Sequence, residues 1–413
     1  MSEVENNEVV EAPTSVALTA PREGLPEVAA THEHLAQVAQ AIAKGVGPIA
    51  VDAERASGYR YSSRAYLIQL RREGSGSHLI DPIEMTDLNP LAQAMQDAEW
   101  ILHASTQDLG CLREVGLHPN ALFDTEVAGR LLGRERVGLG YLLESELGIS
   151  LAKEHSAADW STRPLPEPWL VYAALDVELL IELREILKNE LIERDRWQWA
   201  EQEFQYLANW HPPQPKPDAW RKTSGIHAVR NPQELAVVRE LWIERDRIAR
   251  EKDKAPGRVL SDAGIIDIAK LPLKSARDIF RLDSLRNRAH KALADHWWEI
   301  RSQALAMSGD QLPGPAPKSN NPPPPKAWPD KFPEAAARWD VIRPAVVAKS
   351  EDLGIAPEVL ISPELIRRVC WDPENNLSDA ETLRQWFETQ GARPWQAQIA
   401  ADCVLPAFES MSH

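Results

Sequence analysis

The chain has 413 residues, of which 43% are hydrophobic and 26% are charged, a composition typical of folded globular domains. This length allows two or three domains of ordinary size. The net charge of −16 argues against a chain that binds nucleic acid over its whole surface, because phosphate contacts need Lys and Arg. No run of about 18 apolar residues is present, so the sequence predicts no transmembrane helix and no membrane partner.

The N-terminus and the cysteines favour a cytoplasmic protein. Residues 1–25 are polar and acidic, without the basic and apolar regions of a secretory signal, and we expect them to be disordered. The three cysteines, Cys111, Cys370 and Cys403, lie far apart and show no spacing typical of metal ligands. We therefore expect free, inert thiols in a reducing compartment.

Residues 26–208 follow an α/β pattern. "EHLAQVAQAIAKG" has helical spacing and ends on a glycine, and "PIAVDAE" is typical of a strand. "YLIQLRRE" and "SHLIDP" predict two more strands joined by a Gly-Ser turn, and "EWILHAS" predicts another. The chain becomes helical again after Ser105, and Pro168 to Arg196 is a long helical run. The pattern predicts one α/β domain.

Two proline-rich segments divide the rest of the chain. Residues 209–226 form the first predicted linker, and residues 311–333 form a second, for which we expect extended polyproline II structure. The helical block between them, residues 227–310, has 16 Lys and Arg against 13 Asp and Glu, a net charge of +3. A mildly basic module therefore lies within an acidic chain, and residues 334–413 form a further helical block.

Two acids interrupt the apolar strand "GPIAVDAERA". Asp52 and Glu54 are two residues apart, so their side chains lie on the same face of a strand. Two like charges placed together repel each other, and their burial is costly. A divalent cation would remove both costs, because Mg²⁺ and Mn²⁺ prefer oxygen ligands.

Two further acids follow later elements. Asp108 comes directly after a predicted strand, and Asp176 lies in the long helix, where Tyr172 precedes it by four residues and shares its helix face. Two metal ions about 4 Å apart can hold the attacking and leaving oxygens of a phosphodiester displacement. The separations of 56 and 68 residues between the acids are too loose to establish such a site.

The order of these motifs resembles the DEDD nucleases. "VDAERASGYRYSSRAYLIQL" is similar to their first exonuclease motif, "HASTQDLGCL" to the second, and "YAALDVELL" to the third in its tyrosine form. The block "LGYLLESELGISLAKEHSAADWSTRPLPEPWLVYAALDV" resembles the ribonuclease D family in particular. The resemblance spans about residues 45–195. It implies a ribonuclease H-like fold, with a mixed sheet flanked by helices.

The resemblance also implies the chemistry. Asp52, Glu54, Asp108 and Asp176 would hold two Mg²⁺ or Mn²⁺ ions, with Asp52 shared by both. Glu54 and Asp176 would serve the ion that activates water, and Asp108 would serve the second ion, partly through water. Tyr172 would orient the water, because a tyrosine with a pKa near 10 is a poor base at pH 7. The expected activity is 3′–5′ removal of 5′-mononucleotides from RNA, with precursor tRNA 3′ ends as substrate.

The block after the first linker is similar to an HRDC domain, a small helical nucleic-acid-binding module. By the same resemblance, residues 334–413 would be a second HRDC-like domain. The expected RNA contacts are Gln107, Lys153, Ser161 and Arg163 near the acids, and Arg245, Arg250, Lys252, Lys254 and Arg258 in the HRDC block. The same basic residues would alternatively balance neighbouring acids on a solvated helix.

Two other functions remain open at this stage. The nuclease chemistry would also suit a DNA substrate, since HRDC-like modules accompany both activities. A catalytically silent RNA-binding adaptor is the other alternative, although it has no need of a repulsive carboxylate pair. We expect a monomer.

Overall fold

The computed structural model describes residues 15–85, 87–151, 157–214, 217–285, 288–315, 321–371 and 379–411. Within these residues the strands are β1 (Val16–Leu18), β2 (Val28–Ala29), β3 (Val46–Arg55), β4 (Ala65–Glu73), β5 (Gly76–Ile80), β6 (Glu99–Leu102), β7 (Ala121–Asp124) and β8 (Ile149–Leu151). The helices that accompany them are α1 (His32–Lys44), α2 (Asn89–Met95), α3 (Leu109–Glu114), α4 (Thr125–Leu131), α5 (Leu139–Leu147), α6 (Glu167–Glu178), α7 (Leu180–Glu193) and α8 (Trp197–Ala208).

Two helical units follow this α/β unit. The first contains α9 (Pro232–Glu251), α10 (Pro256–Val259), α11 (Asp262–Lys270), α12 (Ala276–Phe280), α13 (Arg288–Lys291) and α14 (Ala294–Leu305). The second contains α15 (Trp328–Lys331), α16 (Pro333–Leu353), α17 (Pro357–Leu360), α18 (Pro363–Trp371), α19 (Ala380–Thr389) and α20 (Pro394–Met411). We call them the middle unit and the C-terminal unit.

A six-stranded mixed sheet forms the centre of the α/β unit, in the order β2-β5-β4-β3-β6-β7. β3 is antiparallel to β4 and parallel to β6, so it lies well inside the sheet. Its apolar residues Ile49, Ala50 and Val51 are buried, and α6 packs against β3, β4 and β5. The predicted fold class, an α/β exonuclease-like unit followed by helical units, is confirmed.

The expectation of a disordered N-terminal tail is wrong for the part of it that the structure describes. β1 pairs in parallel with β8, and the backbone N–H of Arg22 donates to Glu178 Oε1 at 3.2 Å. Glu178 is fully buried on α6 and also lies 3.6 Å from the Arg71 guanidinium. The segment is ordered because it supplies a hydrogen bond that a buried carboxylate requires.

Both predicted linkers contain a tryptophan that is buried in a helical unit. Trp220 is 4% exposed and packs in the core of the middle unit, and Trp328 is fully buried in the C-terminal unit. Residues 325–331 are helical, which contradicts the expected polyproline II spacer. Burial of a large indole outweighs the preference of prolines for extended structure, and proline is tolerated in the first turn of a helix.

The C-terminal unit packs on α8 of the α/β unit. Trp395 stacks on Trp199 with ring centroids 4.7 Å apart, and its indole N–H donates to Glu203 Oε1 at 3.0 Å. A Cβ atom at Gly133 would lie 1.9 Å from the Gly354 carbonyl oxygen, so only glycine allows this approach. These contacts join the two units into one hydrophobic core.

The state of the cysteines agrees with the expectation from the sequence. Burial raises the pKa of the Cys111 and Cys370 thiols to about 12, and all three cysteines are free, as expected for inert thiols. Among the residues described, none of the helices combines the length and the apolar character that crossing a bilayer demands.

Candidate active site

Asp52 and Glu54 lie on the sheet face that α6 covers. The strand alternation puts both side chains on this face, and the register of β3 against β4 changes between Glu54 and Arg55. Asp52 lies directly opposite Gln69 of β4. Gln69 is fully buried, and its amide nitrogen and oxygen have no hydrogen-bond partner among the described residues. Buried amides of this kind are usually hydrogen-bonded to protein or to ordered water.

Asp176 reaches the same place from α6. Carboxylate oxygens of Asp52, Glu54 and Asp176 all lie within 4.8 Å of one another. Tyr172, one helical turn earlier, is hydrogen-bonded to Asp176. The structure therefore brings together four of the five predicted catalytic residues, two from a strand and two from a helix.

Asp108 approaches the cluster from a third element. It follows a 3₁₀ turn at Ser105–Gln107 and directly precedes α3. Its carboxylate is not one of the three that converge, but lies 3.7 Å from the Arg55 guanidinium, and its side chain is 8% exposed. The predicted role of Asp108 in holding a second ion stays a prediction.

The electrostatics of the cluster are unfavourable without a cation. Burial raises the pKa of Asp52 to about 6, and burial together with the charges of Asp52, Asp176 and Asp108 raises the pKa of Glu54 to about 10. Burial is also the main cause that raises the pKa of Asp108 and of Asp176 well above their usual range. Burial and the nearby negative charges therefore disfavour the ionised form of these acids, and Arg55 offsets this only in part.

The donor set fits a hard divalent cation. Three carboxylates with converging oxygens are the ligands that Mg²⁺ and Mn²⁺ prefer, and the unpartnered amide of Gln69 lies on the same face as Asp52. Asp52, Glu54 and Asp176 are the residues that would hold such an ion. The chemistry of the donors does not distinguish magnesium from manganese.

Sequence reasoning missed two residues that position Asp108. Asp124 is 1% exposed and accepts hydrogen bonds from the backbone N–H groups of Ala104 at 3.2 Å and Ser105 at 2.7 Å. It also caps α4, so it fixes the turn that leads to Asp108. Arg55 is the second, as the nearest cation to Asp108. The position of Asp124 directly before a helical pattern was the available clue.

The predicted RNA contacts near the acids differ in their exposure and in the hydrogen bonds that they already make. Gln107 is exposed in the turn before Asp108, so its predicted contact remains open. Arg163 forms a bidentate pair with Asp81 and donates to the Tyr66 carbonyl oxygen, while Ser161 donates to Asp159. These contacts give Arg163 and Ser161 structural roles, and their contact with RNA stays a prediction. Lys153 lies outside the described residues.

One predicted RNA contact in the middle unit is wrong. Arg245 is 6% exposed, and its guanidinium donates to Asp262 at 2.5 Å and to the Leu260 carbonyl oxygen at 3.1 Å. The ion pair lies in the interior of the unit, and burial of the guanidinium keeps it from a phosphate. Lys252 and Lys254 are exposed.

The two other arginines of this set, Arg250 and Arg258, contact the α/β unit. Arg250 donates to the hydroxyl of Tyr61, and Arg258 donates to the Gly58 carbonyl oxygen.

Comparison with known families divides the chain in the same way. Residues 26–192 match a family described as "3'-5' exonuclease", and residues 234–300 match the HRDC domain. Residues 321–408 match a family described as "3' to 5' exonuclease C-terminal domain", and this match includes most of residues 334–413, which we expected to form a second HRDC-like domain.

Similar proteins share most of the chain. A ribonuclease D of Pseudomonas paraeruginosa is 28% identical over 88% of this chain and 92% of its own. A ribonuclease D of Sphingobium indicum is 31% identical over 63% of this chain and 71% of its own. A crystal structure of a protein from Bifidobacterium adolescentis is 39% identical, with a TM-score of 0.86 over 96% of this chain and 100% of that chain.

Proposed function

Because the chain belongs to the ribonuclease D family and is a 3′–5′ exoribonuclease, we propose that it uses two divalent metal ions to release 5′-mononucleotides from RNA. The observation that carries the proposal is the convergence of Asp52, Glu54 and Asp176 within 4.8 Å, with Tyr172 hydrogen-bonded beside them. Oxygen-rich sites of this kind serve phosphoryl chemistry because they concentrate positive charge where the phosphate becomes more negative.

We assign each of the four acids to one or both of the ions. Asp52 would be shared by both ions, Glu54 and Asp176 would hold the one that activates water, and Asp108 would contribute to the other. When bound, the ions lower the pKa of the attacking water and offset the charge on the reacting phosphate. Glu54 also accepts a hydrogen bond from the terminal 3′-hydroxyl, which restricts cleavage to the end of a strand.

Tyr172 orients the water through a hydrogen bond to its phenol oxygen, while its proton is donated to Asp176. Burial, followed by the charge of Asp176, raises the pKa of Tyr172 above its ordinary value of 10.0, so the phenol keeps its proton at neutral pH. A protonated phenol cannot accept the proton of the water, but it fixes the direction of attack.

The substrate that we propose is the 3′ end of precursor tRNA, trimmed in the cytoplasm by a monomeric enzyme. The name of the relatives supports RNA as the substrate, and the HRDC match supports nucleic-acid binding beyond the active site. DNA remains the alternative, because the acids contact phosphate and not the 2′-hydroxyl.

A single digestion experiment tests activity, metal and substrate together. The purified protein is incubated with a 3′-extended tRNA transcript or a matched 3′-tailed DNA, with Mg²⁺ or Mn²⁺, and the remaining 3′ ends are sequenced. We expect stepwise shortening of the RNA, its loss in Asp52→Asn and Asp176→Asn, and no loss in Asp97→Asn, a change at an exposed acid. Normal activity of the two site variants would contradict the metal cluster. Faster digestion of the DNA would support the alternative substrate, and no release from either would support the silent adaptor.

A further inference from the structure

The HRDC domain contacts the exonuclease domain at the segment that leaves the metal-binding strand. We call residues 56–64, which join β3 to β4, the β3–β4 loop. Tyr61 of this loop packs against the core of the HRDC domain, and the backbone N–H of Ala255 donates to the Tyr59 carbonyl oxygen at 3.0 Å. The loop begins directly after Arg55, two residues beyond Glu54. The HRDC domain therefore contacts the chain within a few residues of the catalytic acids.

Asp253, two residues beyond the end of α9, is the centre of this contact. Its Oδ1 atom accepts hydrogen bonds from the backbone N–H groups of Tyr61 at 3.2 Å and Ser62 at 3.3 Å. Its Oδ2 atom lies 3.7 Å from the Arg60 guanidinium. Asp253 has a φ of +43°, a left-handed conformation that is uncommon for residues other than glycine. Aspartate adopts this conformation more readily than most residues, and here it directs the carboxylate towards the other domain.

Arg60 connects Asp253 to the other metal-binding element. Its Nε atom donates to Ser161 Oγ at 2.8 Å, and Ser161 Oγ donates to Asp159 at 2.5 Å. The Tyr59 hydroxyl donates to the Ala157 carbonyl oxygen at 3.3 Å. Residues 157–166 lead into α6, which carries Tyr172 and Asp176. One chain of contacts, Asp253 to Arg60 to Ser161, therefore joins the HRDC domain to both metal-binding elements.

Three further side chains support the same interface. The Tyr61 hydroxyl donates to Asp246 at 3.0 Å and accepts from Arg250 at 3.1 Å. Arg258 donates to the Gly58 carbonyl oxygen at 2.7 Å, and its guanidinium lies 4.0 Å from the centroid of the Tyr59 ring. Basic residues that the sequence favours as RNA contacts thus hold the β3–β4 loop.

We propose that the HRDC domain braces the active site from within the same chain, and that Asp253 and Arg60 are positioning residues for hydrolysis. The inference rests on the nuclease activity proposed above. A displacement of the β3–β4 loop would move the end of β3 against the start of α6, and catalysis is sensitive to shifts of about 1 Å in such a site. Loss of this contact should therefore lower kcat even for an RNA that is too short to reach the HRDC surface.

The test compares a triribonucleotide with a 3′-tailed tRNA as substrates of the full-length protein. We expect Asp253→Ala to lower kcat on the triribonucleotide at least tenfold, with KM changed less than twofold. Asp253→Asn keeps the acceptor for the two N–H groups and tolerates the left-handed backbone, so it should recover kcat to within about threefold of the unmodified protein. Glu251→Ala, at an exposed residue paired with Arg247, is the matched control and should leave both substrates unaffected.

An opposite pattern would overturn the brace. If Asp253→Ala leaves kcat on the triribonucleotide unchanged and raises KM only for the tRNA, the HRDC domain serves RNA binding alone. Arg60→Ala approaches the contact from the exonuclease side and decides the question if Asp253→Ala does not fold. In a double-mutant cycle, the fold-loss of kcat in Arg60→Ala combined with Asp253→Asn should be smaller than the product of the two single losses. If the two losses multiply fully, Arg60 and Asp253 are not coupled. An inactive unmodified protein would instead refute the proposed nuclease.

Discussion

The metal-free protein should become more stable when Glu54 is replaced by Gln, although the change removes a proposed metal ligand. Glu54 lies within 4.8 Å of two other carboxylates on a face that α6 covers. Each pair of ionised groups at that distance repels by about 3–4 kcal/mol at an effective dielectric constant of about 20. Glutamine has nearly the same shape and carries no charge, so it removes the repulsion without leaving a cavity.

The pKa of Glu54 determines how the stability gained in Glu54→Gln depends on pH. An acid whose pKa is raised in the folded protein, here from 4.5 to about 10, binds a proton that the unfolded chain releases. The stability of the folded state therefore falls as pH rises from 4.5 towards 10, by up to 1.36 kcal/mol for each pH unit. Between pH 5 and pH 8 this amounts to about 4 kcal/mol as an upper bound, of which burial is the largest cause and the charge of Asp52 the next.

The assay is thermal or chemical unfolding of chelator-treated protein at pH 5 and pH 8. We expect Glu54→Gln to raise the midpoint clearly at pH 8 and little at pH 5. Mn²⁺ should stabilise the unmodified protein at pH 8 and stabilise the variant much less. Glu201→Gln, at an exposed glutamate on α8, provides the control and should change neither midpoint. A variant that is less stable than the unmodified protein at pH 8, or a gain equal at both pH values, would refute the electrostatic reasoning.

Two other substitutions test the tyrosine and the C-terminal unit. Tyr172→Phe should lower kcat about 10²-fold with little change in Mn²⁺ affinity, as single-turnover digestion and calorimetry would measure; an unchanged kcat would mean that Tyr172 only packs. Trp395→Ala should lower the free energy of unfolding by about 3–5 kcal/mol, because a buried ring stacked on Trp199 is lost. In chemical denaturation the half-exposed Trp386→Ala should cost less, and equal losses would argue against the interface with α8.

Local periodicity predicted the parts of the site that lie within one element. Asp52 and Glu54 share a face because strand side chains alternate, and Tyr172 contacts Asp176 because residues four apart are neighbours on a helix. The convergence of β3 with α6 depends on how the sheet and helix pack, which spacings of 56 and 68 residues do not encode. For that step the motif resemblance was needed, and Asp124 was missed because its role depends on backbone groups 19 and 20 residues earlier.

The errors have the same physical origin. Arg245 was predicted to contact RNA because of the resemblance to an HRDC domain, but its partner Asp262 lies 17 residues away on another helix, and the pair is internal. The proline run before Trp328 indicated an extended spacer, but burial of the Trp328 indole holds this segment in a folded conformation. In both cases a tertiary partner decided the outcome, and a local pattern carries no information about that partner.

The positive charges of the HRDC domain illustrate why its role is geometric as well as electrostatic. Arg245 pairs with Asp262, Arg247 with Glu244 and Glu251, and Arg250 with Asp246 and Tyr61. Lys252 and Lys254 are exposed and form no ion pair among the described residues, and Arg250 and Arg258, which contact the β3–β4 loop, are exposed as well. Two phosphate contacts to single-stranded RNA would contribute a salt-dependence slope of only about −1.4. Because its arginines make hydrogen bonds to the loop after Glu54, we expect this segment to affect the reaction by holding the metal-binding strand in place, in addition to any contact with RNA.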